Sequence, residues 1–125
     1  MKRIIWISQH QMHPVLWPAL RRMFGDDVQV QEDPRPFDNA ENIVRRVQEG
    51  GYDDCIVVAP YSVLDRMCAL GLRPMWCEAE QVWDRSLSDW SVKGRMYRFL
   101  GFKRVERLVL ELEDLGPAAR RQEKD

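Results

Sequence analysis

The chain has 125 residues, 45% hydrophobic and 31% charged, with a net charge of −1. These values fit one folded domain with one core and exclude disorder of the whole chain. They leave no global field to draw the protein onto duplex nucleic acid or an acidic membrane, so neither is an expected partner. Three cysteines, Cys55, Cys68 and Cys77, with no C-x-x-C pair, make neither a disulfide framework nor a cysteine zinc site.

In chain order, Ile4, Ile5, Trp6 and Ile7 form a short apolar run. It reads as a strand covered on both faces. A polar loop over residues 8–13 follows, and Pro14 suits a first helical position. Leu16, Ala19, Leu20, Met23 and Phe24 recur at helical spacing, with Pro18 predicting an irregular start and Gly25 the end. Residues 28–31 alternate as a half-exposed strand, and residues 33–37 read as a loop. Asp38 to Glu41 resembles a capping box, opening a helix that turns Ile43, Val44 and Val47 inward and stops at Gly50 and Gly51. Residues 55–59 form the clearest strand. Pro60 and Tyr61 turn it, and Ser62 to Asp65 resembles another capping box, with a helix running to Gly71. Residues 73–78 read as a fourth strand. The last two strands are expected at 92–99 and 105–112, joined near Gly101; Leu108, Leu110 and Leu112 alternate as a half-buried strand should.

Strands alternating with helices predict an α/β fold: a Rossmann-like, three-layer arrangement, mostly parallel in the order 2-1-3-4, with a C-terminal antiparallel hairpin. Residues 1–115 make the single domain and 116–125 a flexible polar tail. The first run is too short for a signal peptide core or a membrane span, so reduced cytoplasm is the expected compartment.

In such sheets ligands bind beyond the carboxyl ends of the strands, where strand order reverses. The loops after the first and third strands each lead into a helix start, where free N–H groups favour anions. That rule gathers Ser8, His10, His13, Tyr61 and Ser62. His10 and His13 are the only histidines, and imidazole suits acid–base work near neutral pH. Ser8 and Ser62 offer hydroxyls to a phosphate or carboxylate. The plainer reading stands beside this one: His13 and Ser62 are placed as helix caps. Dinucleotide, P-loop and nucleophile-elbow motifs are absent. Glu78 and Glu80 offer carboxylates to a metal, but solvated side chains explain them as well. No metal or cofactor is expected.

Lys93, Arg95, Arg98, Lys103, Arg104 and Arg107 interleave with Trp90, Tyr97, Phe99 and Phe102. Such a mixture suits nucleotide stacking and phosphate contacts, and Arg95 is taken as a ligand contact on that basis. A solvated hairpin face gives the same pattern.

The segment Ile7-Ser8-Gln9-His10-Gln11-Met12-His13-Pro14 resembles the opening of small CRISPR-associated proteins with Rossmann-like folds that bind or cleave cyclic oligoadenylate messengers. His10, Met12 and Pro14 fit that pattern. His13 stands where Thr is usual, and Gln9 and Gln11 loosen the spacing. Val57-Val58-Ala59-Pro60 resembles their third strand and turn. The resemblance implies metal-independent ring opening, with a ribose 2′-OH attacking the adjacent phosphate to leave a 2′,3′-cyclic phosphate. It implies His10 as the acid–base or phosphate-contacting residue, with Ser8, Ser62 and the helix N-termini holding phosphates; Gln9, His13, Tyr61 and Arg95 are the further ligand contacts expected from their places in the chain. It also implies a homodimer matching a two-fold ligand. The alternative is a non-enzymatic interaction module acting through a surface rich in Trp and Arg.

Overall fold

The computed structural model describes residues 1–118. It is an α/β structure with a mixed six-stranded sheet and three α-helices. The strands are β1 (Arg3–Ile7), β2 (Gln29–Asp33), β3 (Asp54–Val57), β4 (Met75–Val82), β5 (Trp90–Val92) and β6 (Arg95–Arg104). The α-helices are α1 (Trp17–Phe24), α2 (Ala40–Glu49) and α3 (Tyr61–Ala69). The sheet order is β2-β1-β3-β4-β6-β5. Among the described residues, no helix is long and apolar enough to cross a membrane.

Strand alternation divides the core into two layers. Ile4, Trp6, Ile56 and Met75 face Leu16 and Leu20 at the start and middle of the α1 region. Ile5, Ile7, Cys55 and Val57 face Ile43 and Val47 of α2 and Leu64 and Met67 of α3. Every strand residue from Ile4 to Ile7 is buried, as a strand covered by helices on both sides requires. Pro14 opens a single 3-10 turn (Pro14–Leu16), and α1 follows with Pro18 in its first turn. The irregular start expected there is present, because proline in these positions forfeits no helical hydrogen bond.

Several boundaries differ from the sequence reading. Strand β2 continues to Asp33, which is buried and not a loop residue. The cap of α2 is Asn39, whose Oδ1 accepts from the Asn42 N–H at 2.9 Å. Glu41 is no reciprocal cap; it pairs with Arg66 of α3 at 2.7 Å. The expected box at Ser62 is absent: α3 begins at Tyr61 with Pro60 at its N-cap and no side-chain cap. Pro60 fixes the backbone there before Ser62 is reached. Strand β3 stops at Val57, leaving Val58 exposed, and β4 runs on to Val82.

The largest correction concerns the sheet's second half. The sheet is mixed and not mostly parallel: β3 meets β4 at one parallel pair, Ile56 with Met75. From there β4 pairs antiparallel with β6, from Met75 opposite Arg104 to Val82 opposite Met96. The hairpin turn is Lys93-Gly94, with φ of 50° and 78°, joining Val92 to Arg95. Two consecutive positive φ values are the two-residue turn that matches strand twist. Lysine in that position hid the turn from sequence reading. Gly101, taken as the turn, sits instead at a bulge, where Glu78 pairs with Gly101 and Ala79 with Phe99. Leu100 is the extra residue. The bulge therefore puts Phe99 and Phe102 on the same face, where their rings meet edge to face at 5.2 Å. Residues 105–112 form no strand. Of the expected tail, 119–125 lie outside the described residues.

A side-chain clamp compensates for the short β3–β4 ladder. Arg104 reaches across β4 and donates to both carboxylate oxygens of Asp54, each at 2.7 Å, and to the Arg73 carbonyl at 2.8 Å. The Asp54 hydrogen bond raises the Arg104 pKa further above its ordinary value, against a smaller opposing effect of burial. The Asp54 side chain is 8% exposed and the Arg104 side chain 37%. Removing the cation leaves a carboxylate in a site built for its partner. Such losses run to 3–5 kcal/mol for fully buried pairs, and the exposure of Arg104 reduces the expectation to about 2 kcal/mol. Arg104→Ala is therefore expected to lower the unfolding free energy by about 2 kcal/mol in urea titration. A loss under about 0.5 kcal/mol would show that the clamp contributes no more than a surface pair.

Candidate functional site

The carboxyl ends of β1 and β3 open onto a crevice, because β3 ends at Val57 while β4 continues past it. The turn after β1 forms its floor and is pinned at several points. Ser8 Oγ accepts from the His10 N–H at 3.1 Å. The Trp6 indole donates to the His10 carbonyl at 2.8 Å. The Met12 N–H donates to Glu32 Oε1 at 2.6 Å, tying the turn to β2. His13 Nδ1 accepts from the Val15 N–H at 3.1 Å and caps the 3-10 turn. With Nδ1 accepting, the neutral ring carries its proton on Nε2. These bonds satisfy three backbone N–H groups and one carbonyl that no strand ladder serves.

Two clefts flank this turn and share Ser8, His10 and Val58. One, about 270 Å³, lies on the β2 side and is completed by Gln9, Arg35, Pro36 and Phe37. The other, about 360 Å³, lies on the β4–β6 side and is lined by Trp6, Gln11, His13, Cys77, Trp90 and Ser91 among others. Its wall is largely apolar and aromatic, with the His13 and Trp90 rings 5.8 Å apart. His10 stands between the two and is exposed. Among the described residues its imidazole makes no hydrogen bond, so both ring nitrogens face solvent or ligand.

No family model, no curated protein and no solved structure matches this chain. The site is therefore read from its own geometry.

Of the residues gathered by sequence, Ser8, Gln9, His10 and His13 come together at the clefts. Tyr61 and Ser62 line neither. Tyr61 stacks on Trp76 at 5.9 Å and 22°, with 67% of its surface exposed. Ser62 is exposed in the first turn of α3. Arg95 is exposed beside the hairpin turn, at the far end of the short β5–β6 ladder. The hairpin shift is the reason: a turn at Lys93-Gly94 directs Trp90, and not Arg95, to the crevice.

The lining residues missed were Arg35, Phe37, Cys77 and Val58, and Trp90 was noted only within the basic stretch. Arg35 and Phe37 follow β2, beside β1, so the strand-end rule already contained them. Cys77 and Trp90 depend on the hairpin geometry and carried no signal of their own. Burial pushes the Cys77 thiol up to about 11, so it is a neutral wall near pH 7 and not a nucleophile. Cys55, in the core, is pushed up to about 12 for the same reason.

Arg35 is held in place by Asp33, with bonds of 2.9 and 2.7 Å to its two carboxylate oxygens. Arg46 lies 3.6 Å from the same carboxylate, so two cations share one buried anion. The Arg35 hydrogen bond holds the Asp33 carboxyl below the usual carboxylate range, against the opposing effect of burial. A depressed folded-state pKa stabilises the fold above the unfolded value, and that stability is lost as pH falls through the folded one. Asp33→Asn is expected to be less stable than wild type at pH 7. The gap should narrow as pH falls below about 4. Urea titrations at pH 7 and pH 3 measure this, and a gap unchanged by acid would exclude the linkage.

Proposed function

We propose that this crevice binds a nucleotide-type ligand, with a cyclic oligoadenylate as the first candidate. One observation carries the reading. The His10 turn joins an aromatic cleft, walled by Trp90 and His13, to a second cleft where Arg35 stands. A nucleotide has the same two parts. Its base gains from stacking on an aromatic wall, and its phosphate gains from a cation and nearby imidazole and hydroxyl donors. In this reading the β2-β1-β3-β4 part of the sheet is a Rossmann-like core, and the ligand lies over its strand ends as in other open α/β sheets. The resemblance around Ser8, His10 and Pro14 supports the choice of messenger, and with it a cytoplasmic homodimer around a two-fold ligand.

Cleavage is the further step of the same reading. The ribose 2′-OH would attack its own 3′-phosphate, forming the O2′–P bond and breaking the P–O5′ bond. The 2′ proton passes to a base and the 5′ oxygen takes one up, leaving a 2′,3′-cyclic phosphate and a free 5′-OH. His10 is the group placed for either proton. The two clefts contribute one guanidinium, Arg35, to offset phosphate charge. Transition-state charge is the main thing an enzyme of this class must stabilise, so the geometry supports binding more strongly than turnover.

A second reading, an interaction module, is favoured by Trp83, which is 80% exposed on the loop after β4. One assay separates the two. Melting is followed with linear and cyclic oligoadenylates for wild type, His10→Ala and Trp90→Ala. A ligand that binds only the folded state raises the melting temperature, by about 2.7 kcal/mol of stability at a hundredfold excess over Kd. A rise of several degrees with one cyclic species, reduced in both variants, is the expected result. Absence of any shift across the panel overturns the messenger reading and leaves the interaction module.

A further inference from the structure

The chain carries a strand pattern without a sheet and a sheet edge without a strand. Residues 108–113 alternate, with Leu108, Leu110 and Leu112 on one side and Val109, Glu111 and Glu113 on the other, and Leu108 packs against the chain's own core. In the structure they belong to no strand. Val109, Leu110, Leu112 and Leu115 are 66–88% exposed, which is unusual for four large apolar side chains in seven residues. Asp114 adds a third acid, and no Lys or Arg lies between Leu108 and Leu115.

At the opposite end of the sheet, β2 is an edge strand paired only with β1. The Gln29 N–H donates to Lys2 across that ladder, so the alternate residues Val30 and Glu32 turn their backbone groups outward. The Gln31 side chain donates to the outward Glu32 carbonyl at 3.1 Å, holding a place that an incoming backbone N–H would take. Beside this edge, on the α2 side, lies a cleft lined by Arg35, Arg45 and Arg46 and by Glu32, Asp33 and Glu49, with Arg35 and Arg46 already paired to Asp33. Arg45 makes no ion pair among the described residues. On the α1 side, the half-buried Val30 and Met12 border the edge.

We propose that residues 109–115 of one copy add as a strand to the β2 edge of a second copy, and the second copy does the same in return. Main-chain hydrogen bonds to Val30 and Glu32 supply the attachment, as in other strand-addition complexes. The alternation supplies the orientation. Glu111 and Glu113 point to the arginine cleft while Leu110 and Leu112 point to Val30 and Met12 on the other face. Reciprocal exchange gives a closed two-fold dimer, and both open features disappear at once. The dimer is independent of any ligand in the His10 crevice.

The test is mass by light scattering after size exclusion, with the full chain at about 10–200 µM in low and high salt. Wild type is expected at twice the 14.8 kDa chain mass, with dissociation favoured by salt. Leu110→Asp with Leu112→Asp should weaken the dimer at least tenfold without lowering the melting temperature of the monomer, since both side chains are exposed. Arg45→Glu alone and Glu111→Lys with Glu113→Lys alone should each weaken it. Mixing these two charge variants should restore a dimer, because each then presents the complement of the other at both contacts. Hydrogen exchange should show concentration-dependent protection at residues 109–115 and at Val30 and Glu32. A monomer throughout this range, or a dimer indifferent to both sets of substitutions, overturns the proposal.

Discussion

Asp54 and Arg104 clamp together two halves of the sheet that share a single ladder pair and one apolar layer. The parallel half, β2-β1-β3, is an ordinary α/β layer with helices on both faces. The antiparallel half, β4-β6-β5, joins it by one ladder pair, by apolar packing of Met75, Phe99 and Phe102 on the α1 side, and by a guanidinium that spans β4 to reach the carboxylate. Pairing at one point lets β4 leave the sheet as β3 turns away at Pro60. The gap that results is the crevice. A longer β3–β4 ladder would close it, and a weaker clamp would leave its far wall unsupported.

The crevice inherits its chemistry from that divergence. The His10 turn is fixed by β1 and β2, through Trp6 and Glu32. The aromatic wall comes from β5, which is connected to the rest through β6 and its clamp. His13 and Trp90 meet across the two halves. A ligand between them would touch side chains from both halves, so its binding and the integrity of the sheet junction are linked. The cation of the neighbouring cleft is equally structural: Arg35 is oriented by a buried aspartate that ends β2. Polar residues at strand ends thus serve the fold and the site together.

The first half of this arrangement was legible from the residues. The apolar run at Ile4 to Ile7, the stripe from Leu16 to Phe24 and the run at Cys55 to Val57 each state their period and burial plainly. The turn holding Ser8, Gln9, His10 and His13 followed from the rule about strand ends. The second half was not legible, for two local reasons. Lys93-Gly94 adopts a turn usually announced by Asn or Asp before Gly. Gly101 marked a bulge instead of a turn, and one displaced turn moved every later strand. Residues 105–112 show the opposite failure. Their alternation is real, but period two states only a capacity to pair, and no ladder in the chain receives them. Tyr61 and Ser62, in a helix with Pro60 at its N-cap, and Arg95, beside the displaced turn, lie outside the two clefts.

The distance along the chain between Asp54 and Arg104 also sets an order of assembly. Residues up to Val57 contain β1, α1, β2, α2 and β3, whose mutual contacts, including the pairing of Ile4 with Asp54, lie within that segment and can form while the rest of the chain is still being made. The clamp closes a loop of 50 residues and waits for the end of β6. Until then the apolar wall at Trp6, Ile56 and Leu16 lacks its cover from Phe99 and Phe102. The emerging protein thus has an interval in which its parallel layer is built but sticky. Its crevice acquires its far wall only after the end of β6 has left the ribosome.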